Sequence, residues 1–332
     1  MREVYMMSGF GKMKEVEETI EDTKKTPHQR KDPFAAIAAE IASANDNIGH
    51  TFTALIGHEN TGKTAVVTYA YKLYVQNLLK EKKTEHPDLI HWEPKQLMCI
   101  DFDGGAQANK SAFHPELSTM VCLEPYVYTQ DDRTAVDYPA THDRVMKLLQ
   151  YCVHNHENIW GVLITGVDGW DSVCINNMRI QDLGLARDAI SAADVRGSGK
   201  DSRRVEFQWD WGIRRTRFHQ MTTLCRGLVK RGVKVFLETH LAKLDEDDRM
   251  SVRGWRPAWE KSTSGLVFQI LLFEREDIYD DESRLTNQVF TATFEKSKTD
   301  VGLQGQRRTV LTTEVGGNPK WYGLQELNDG TL

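Results

Sequence analysis

Gly57-His58-Glu59-Asn60-Thr61-Gly62-Lys63-Thr64 reads G-x-x-x-x-G-K-T, and its flanks decide the fold. Before it, Thr51-Phe52-Thr53-Ala54-Leu55-Ile56 is a short apolar run with β-branched residues, which predicts a strand. After it, no Gly or Pro intervenes until Pro87, which predicts a helix over 64–80. Strand, glycine-rich turn and helix start form the setting in which backbone N–H groups and a helix N-terminus cradle a phosphate. There Lys63 is expected to reach the β/γ-phosphates and the Thr64 hydroxyl to bind Mg²⁺. Lys63 is expected to face solvent when no phosphate is present. A nucleoside triphosphate, ATP with Mg²⁺, is the ligand this reading implies.

Working outward, the chain alternates strand and helix, which predicts a mostly parallel α/β sheet with helices on both faces. Strands are expected at 96–101, 119–123, 161–165, 234–238, 267–274 and 289–294, and further helices at 142–154 and 210–231. Residues 1–31 are polar and alternate in charge, as in a mobile arm; Asp32-Pro33 can open a helix. The ATPase domain is expected to span 32–300, and 301–332 to form a small extension or hairpin. With 332 residues and 40% hydrophobic content the chain can bury a sizeable core. No run approaches about 18 apolar residues, so no membrane partner is expected. The five cysteines lack C-x-x-C spacing and are expected to be free thiols in a reducing cytoplasm. A net charge of −6 excludes a generally basic surface, so any contact with nucleic acid must be local.

Phosphate binding alone hydrolyses nothing; the tips of neighbouring strands should supply the remaining groups. Leu97-Met98-Cys99-Ile100-Asp101-Phe102-Asp103-Gly104-Gly105 ends a strand in acid-x-acid and small residues. Ile159-Trp160-Gly161-Val162-Leu163-Ile164-Thr165-Gly166-Val167-Asp168-Gly169 is an apolar strand running into a turn, and Val233-Lys234-Val235-Phe236-Leu237 runs into Glu238-Thr239-His240. Together these resemble the RecA-like P-loop ATPases, and most closely the small phage-encoded ones that act on single-stranded DNA; the resemblance covers roughly residues 51–300.

The resemblance implies the following roles. Asp103 orients the attacking water, at a place where the family more often has Glu. The second strand is similar to a Walker B strand, but Thr165 stands where its Asp is expected, so either Thr165 or Asp168 serves the ion. His240 senses the γ-phosphate. Lys296 and Lys298, in Phe294-Glu295-Lys296-Ser297-Lys298, take the place of cations that reach a neighbour's nucleotide in a ring or filament of identical subunits. Two long loops, 176–207 with Arg203 and Arg204 and 241–265 with Arg253, Trp255, Arg256 and Trp259, would hold single-stranded DNA, guanidinium groups meeting phosphates and indoles stacking on bases. The second loop, lying beyond the sensor strand, is expected to stay clear of the phosphates. The function implied is a DNA-stimulated ATPase that promotes annealing or strand pairing. A hexameric helicase or packaging motor of the same core is the runner-up. Thr165 and Asp103 also fit a nucleotide-switched binding module with little hydrolysis.

Overall fold

The computed structural model describes residues 51–85, 93–114, 117–129, 135–182, 184, 208–243 and 255–329. The N-terminal arm, the Asp32-Pro33 helix start and the Arg203, Arg204 and Arg253 positions lie outside these residues.

One nine-stranded sheet organises the chain. Its strands are β1 (Phe52–Gly57), β2 (Gln96–Asp101), β3 (Met120–Leu123), β4 (Ile159–Thr165), β5 (Lys234–Thr239), β8 (Gln269–Tyr279), β9 (Leu285–Ser297), β10 (Arg307–Glu314) and β11 (Lys320–Trp321). The order is β11-β10-β9-β8-β1-β5-β4-β2-β3. From β8 to β3 every pairing is parallel; β9, β10 and β11 add on antiparallel. The residues after Asp300, expected as an extension, therefore continue the same sheet. A two-stranded hairpin, β6 (Leu241–Lys243) with β7 (Trp255–Pro257), rises directly from the end of β5.

Alternation along the parallel strands explains why both faces are covered. Phe52, Ala54 and Ile56 of β1, Val162 and Ile164 of β4, and Val235 and Leu237 of β5 point to one face. There they pack on α3 (Tyr138–His154), α4 (Val167–Gln181) and α5 (Gln208–Val229). Leu55, Leu97, Cys99, Leu163 and Phe236 point the other way, against α1 (Lys63–Glu85) and α2 (Gly105–Phe113). Strands buried on both sides read as continuous apolar runs, as β1 and β4 do. Two short helices, α6 (Thr263–Leu266) and α7 (Gln325–Asp329), also lie among the described residues.

The β6–β7 hairpin and the start of α6 fall within 241–265, expected as a loop, and two further elements also differ from the sequence expectation. The segment after β4 is not a long loop from residue 176. Helix α4 runs to Gln181 and buries Val167, Trp170, Val173, Cys174 and Met178 along one stripe. Its N-cap Gly166 has φ 58°, so the chain turns sharply off β4, and Asp168 sits in the first helical turn. Helix α2, which had no expectation, opens at Gly104 with φ 77°.

Candidate phosphate-binding site

The loop between β1 and α1 is fixed by glycines where no side chain fits. A Cβ on Gly57 would lie 2.6 Å from the Phe273 carbonyl oxygen and 2.9 Å from Thr61 Oγ1. Asn60 and Gly62 take the left-handed region, φ 57° and 86°. The Thr61 hydroxyl donates to the His58 carbonyl (2.8 Å), and Val66 N–H donates to Gly62 O (3.1 Å), starting α1.

Lys63 does not face solvent: it is 3% exposed, and its Nζ donates to Gly57 O (3.2 Å) and His58 O (2.7 Å). The ammonium thus neutralises the carbonyls of its own loop. Burial lowers its pKa, against the pull of Glu238 and then of Asp103, Asp168 and Glu59.

Sequence reasoning assigned no role to Glu238. Phe236 and Glu238 lie two apart on β5 and so share the face that α1 covers. The parallel register sets Glu238 beside Leu55 of β1. Its carboxylate then meets the first turn of α1, accepting from the Thr64 hydroxyl (2.7 Å) and lying 3.9 Å from Lys63 Nζ. Burial pushes the Glu238 carboxyl up to about 7, with Lys63 and the Thr64 hydroxyl pulling it back.

On the other side, β2 and β4 pair Asp101 with Thr165 in register. The Thr165 hydroxyl donates to Asp101 Oδ1 (2.6 Å), and Gln107 N–H donates to Asp101 Oδ2 (3.0 Å). Both buried groups are thereby spent on holding two strand tips and the start of α2. Asp103 is exposed, its Oδ1 accepting from Gly105 N–H (2.9 Å). A methyl on Gly105 would lie 3.0 Å from Asp103 Oδ1 and 3.4 Å from Thr64 Oγ1, so these two groups flank the same point.

His240, at the end of β5, faces Asp168 with Nδ1 at 3.3 Å from both carboxylate oxygens. The Asp168 hydrogen bond raises the His240 pKa over the opposing effect of burial. Burial pushes Asp168 up, but the His240 bond and charge outweigh it and the net shift is down. Asp168 is therefore committed to His240, and the carboxylate on Thr64 is Glu238.

Loop, Asp103, Glu238 and His240 line a cleft of about 520 Å³, whose far wall is built by Arg275, Gln288, Phe290, Leu311 and Thr313 of β8–β10. Among the described residues no group of three or more His, Cys, Asp or Glu could hold a metal by itself. Mg²⁺ usually takes one or two side chains and completes its shell with phosphate and water. Thr64 and Glu238 fit that donor set.

The residues expected to hold DNA fare unequally. Trp259 is 4% exposed in the core below β5, so its indole anchors the chain and offers no face to a base. Trp255 is 44% exposed and packs edge-on against His58 of the phosphate loop, ring centroids 4.7 Å apart. The segment after β5 thus touches the β1–α1 loop. Arg256 lines a second cavity, of about 820 Å³, where Arg214 and Arg215 are ion-paired to Asp171 and Glu260, so its charge is mixed. Lys296 Nζ donates to the carbonyls of Ser264 and Val267, and Lys298 Nζ to Gly265 O (2.8 Å). Both lysines cap α6 of their own chain.

No protein-family model matches the chain, and no curated protein matches it. Among the described residues no helix is long and apolar enough to cross a membrane.

Proposed function

We propose that this chain is a RecA-like, Mg²⁺-dependent ATPase, with ATP held in the cleft at the tips of β1, β2 and β5. The observation that carries this is the Thr64–Glu238 contact beneath a glycine-shaped loop. It joins an element that can cradle phosphate to a buried acid at the place an ion's hydration shell would occupy. Thr64, oriented by Glu238, would hold Mg²⁺, which would supply positive charge against the phosphate oxygens. To meet those oxygens Lys63 must exchange Gly57 O and His58 O for phosphate, which is favoured because phosphate carries full charge. Glu238 holds the Thr64 hydroxyl in orientation. Asp103, exposed at the cleft, is the carboxylate free to accept a proton from attacking water. His240, protonated more readily because of Asp168, offers a cation beside the γ-phosphate position.

Single-stranded DNA as partner and assembly into a ring or filament are part of the same proposal. Support comes from the hairpin that leaves the β5 tip with exposed Trp255. Phosphate release from ATP, with and without single-stranded DNA, tests the reading. DNA-stimulated turnover that requires Mg²⁺ and Lys63 is expected; absence of nucleotide binding overturns it.

One observation favours a second reading, the nucleotide-switched module. The tip of β4 presents only Thr165, already bonded to Asp101, so hydrolysis rests on Asp103 alone. Tight ATP binding without turnover in the presence of DNA would select it.

A further inference from the structure

Cys99 and Cys122 stand directly opposite one another in the parallel register of β2 and β3. Neighbouring strands lie about 4.8 Å apart, inside the Cα separation that a disulfide spans. Both side chains point to the face covered by α1 and α2, where Cys99 is buried and Cys122 is half-buried on the edge strand. The neighbouring Cys99 thiol, with help from the Lys110 charge, lowers the Cys122 pKa against burial and the Asp101 charge. Burial pushes Cys99 well above the thiol range. The other three cysteines are buried, and burial raises each of them. One accessible, acidified thiol therefore sits beside one buried thiol.

We propose that Cys122 and Cys99 form an oxidisable dithiol, with hydroperoxides as the oxidant, whose closure restrains the tip of β2. The Cys122 thiolate attacks the peroxide oxygen: an S–O bond forms, the O–O bond breaks, and the departing oxygen takes a proton to leave as water or alcohol. Cys122 becomes a sulfenic acid, oxidised by two electrons, and the peroxide is reduced by the same two. Cys99 sulfur then attacks Cys122 sulfur; the S–S bond forms, the S–O bond breaks, and hydroxide leaves as water with the Cys99 proton. Cys99 lies two residues before Asp101, which binds Thr165 and the start of α2, and four before Asp103. A covalent tie at Cys99 thus acts on the strand that carries the exposed carboxylate of the cleft. This consequence for turnover rests on the proposed ATPase; the thiol chemistry does not.

The test treats the full chain with hydrogen peroxide, then blocks remaining thiols and maps peptides without reduction. A Cys99–Cys122 linked peptide, lighter by about two hydrogens than the two thiol peptides together, is expected. It should vanish in Cys122→Ser and return to thiols with dithiothreitol, while Cys152, Cys174 and Cys225 stay reduced. Oxidation of Cys122 to sulfinic acid without cross-link, or equal reactivity of all five thiols, would overturn the site. Phosphate release is measured on the same samples. A dithiothreitol-reversible drop of at least about threefold, absent in Cys122→Ser, is expected if the tie reaches the cleft; unchanged turnover in fully cross-linked protein refutes the restraint. Cys122→Val, which keeps an apolar side chain at the position, checks that neither result comes from misfolding.

Discussion

The tips of β4 and β5 lie side by side in the sheet and do opposite things. In β4 the last residue, Thr165, turns to its neighbour Asp101 and is consumed in holding the strands. At the end of β5, Glu238 and the following His240 face the β1–α1 loop and the cleft. The acid that the second strand lacks stands one strand nearer the loop, on the strand paired with β1. What a site of this kind needs is a carboxylate at the Thr64 hydroxyl, and more than one strand tip of a parallel sheet can deliver it.

Several substitutions sharpen the contrast. The largest effect is expected from Lys63→Ala, which should weaken ATP binding by roughly two or more orders of magnitude, read by nucleotide titration. Lys63 is buried on Glu238, so this variant should also shift the Glu238 pKa further up; wild-type affinity would remove the loop from the account. Asp103→Asn should keep ATP affinity and lower turnover by about two orders of magnitude, the usual loss with a general base. A silent Asp103→Asn would return the role to the β4 side.

The pH dependence of folding reports on Glu238 separately. Its folded pKa, about 7, lies above the ordinary 4.5, so the folded state holds a proton that the unfolded state has lost. The stability this contributes is full below about 4.5 and is lost as pH climbs through about 7. Thermal melts over that interval should show the decline in wild type and a flatter profile in Glu238→Gln. Parallel profiles would mean the carboxylate is not held protonated. The smallest effect belongs to Trp255→Ala. An edge-to-face ring pair contributes about 0.5–1.5 kcal/mol, so ATP affinity should change by about two- to tenfold through His58. If DNA binding falls while ATP affinity is unchanged, Trp255 serves DNA alone.

Much of this architecture was legible in the sequence, for reasons that can be named. A phosphate loop is a local structure, set by Gly57, Gly62 and the helix that follows, and buried parallel strands announce themselves as apolar runs. β2 was bounded correctly to the residue, and β4 and β5 to within two. Helix α4 was missed: Val167, Trp170, Val173, Cys174 and Met178 carry a helical stripe, but Asp168-Gly169 reads as a turn. Glu238 was not legible as a partner of Thr64. The two are 174 residues apart, and only the β1–β5 register and the face taken by α1 bring them together. Trp255 and Trp259 look alike in sequence, four residues apart, and burial alone separates the exposed ring from the anchor. Lys296 and Lys298 match a position in the order of elements, while their bonds to α6 depend on where that helix ends.

The central claim is that Glu238 of β5, and not a residue following β4, provides the acid at the ion position. A Mg²⁺ titration of ATP binding, run in parallel on wild type, Glu238→Gln and Asp168→Asn, tests it most directly. The account predicts that Glu238→Gln needs about 10- to 100-fold more Mg²⁺ for half-maximal binding while Asp168→Asn follows wild type, the loss expected when a side chain that orients an ion's partner is removed. A large shift in Asp168→Asn with none in Glu238→Gln would contradict it.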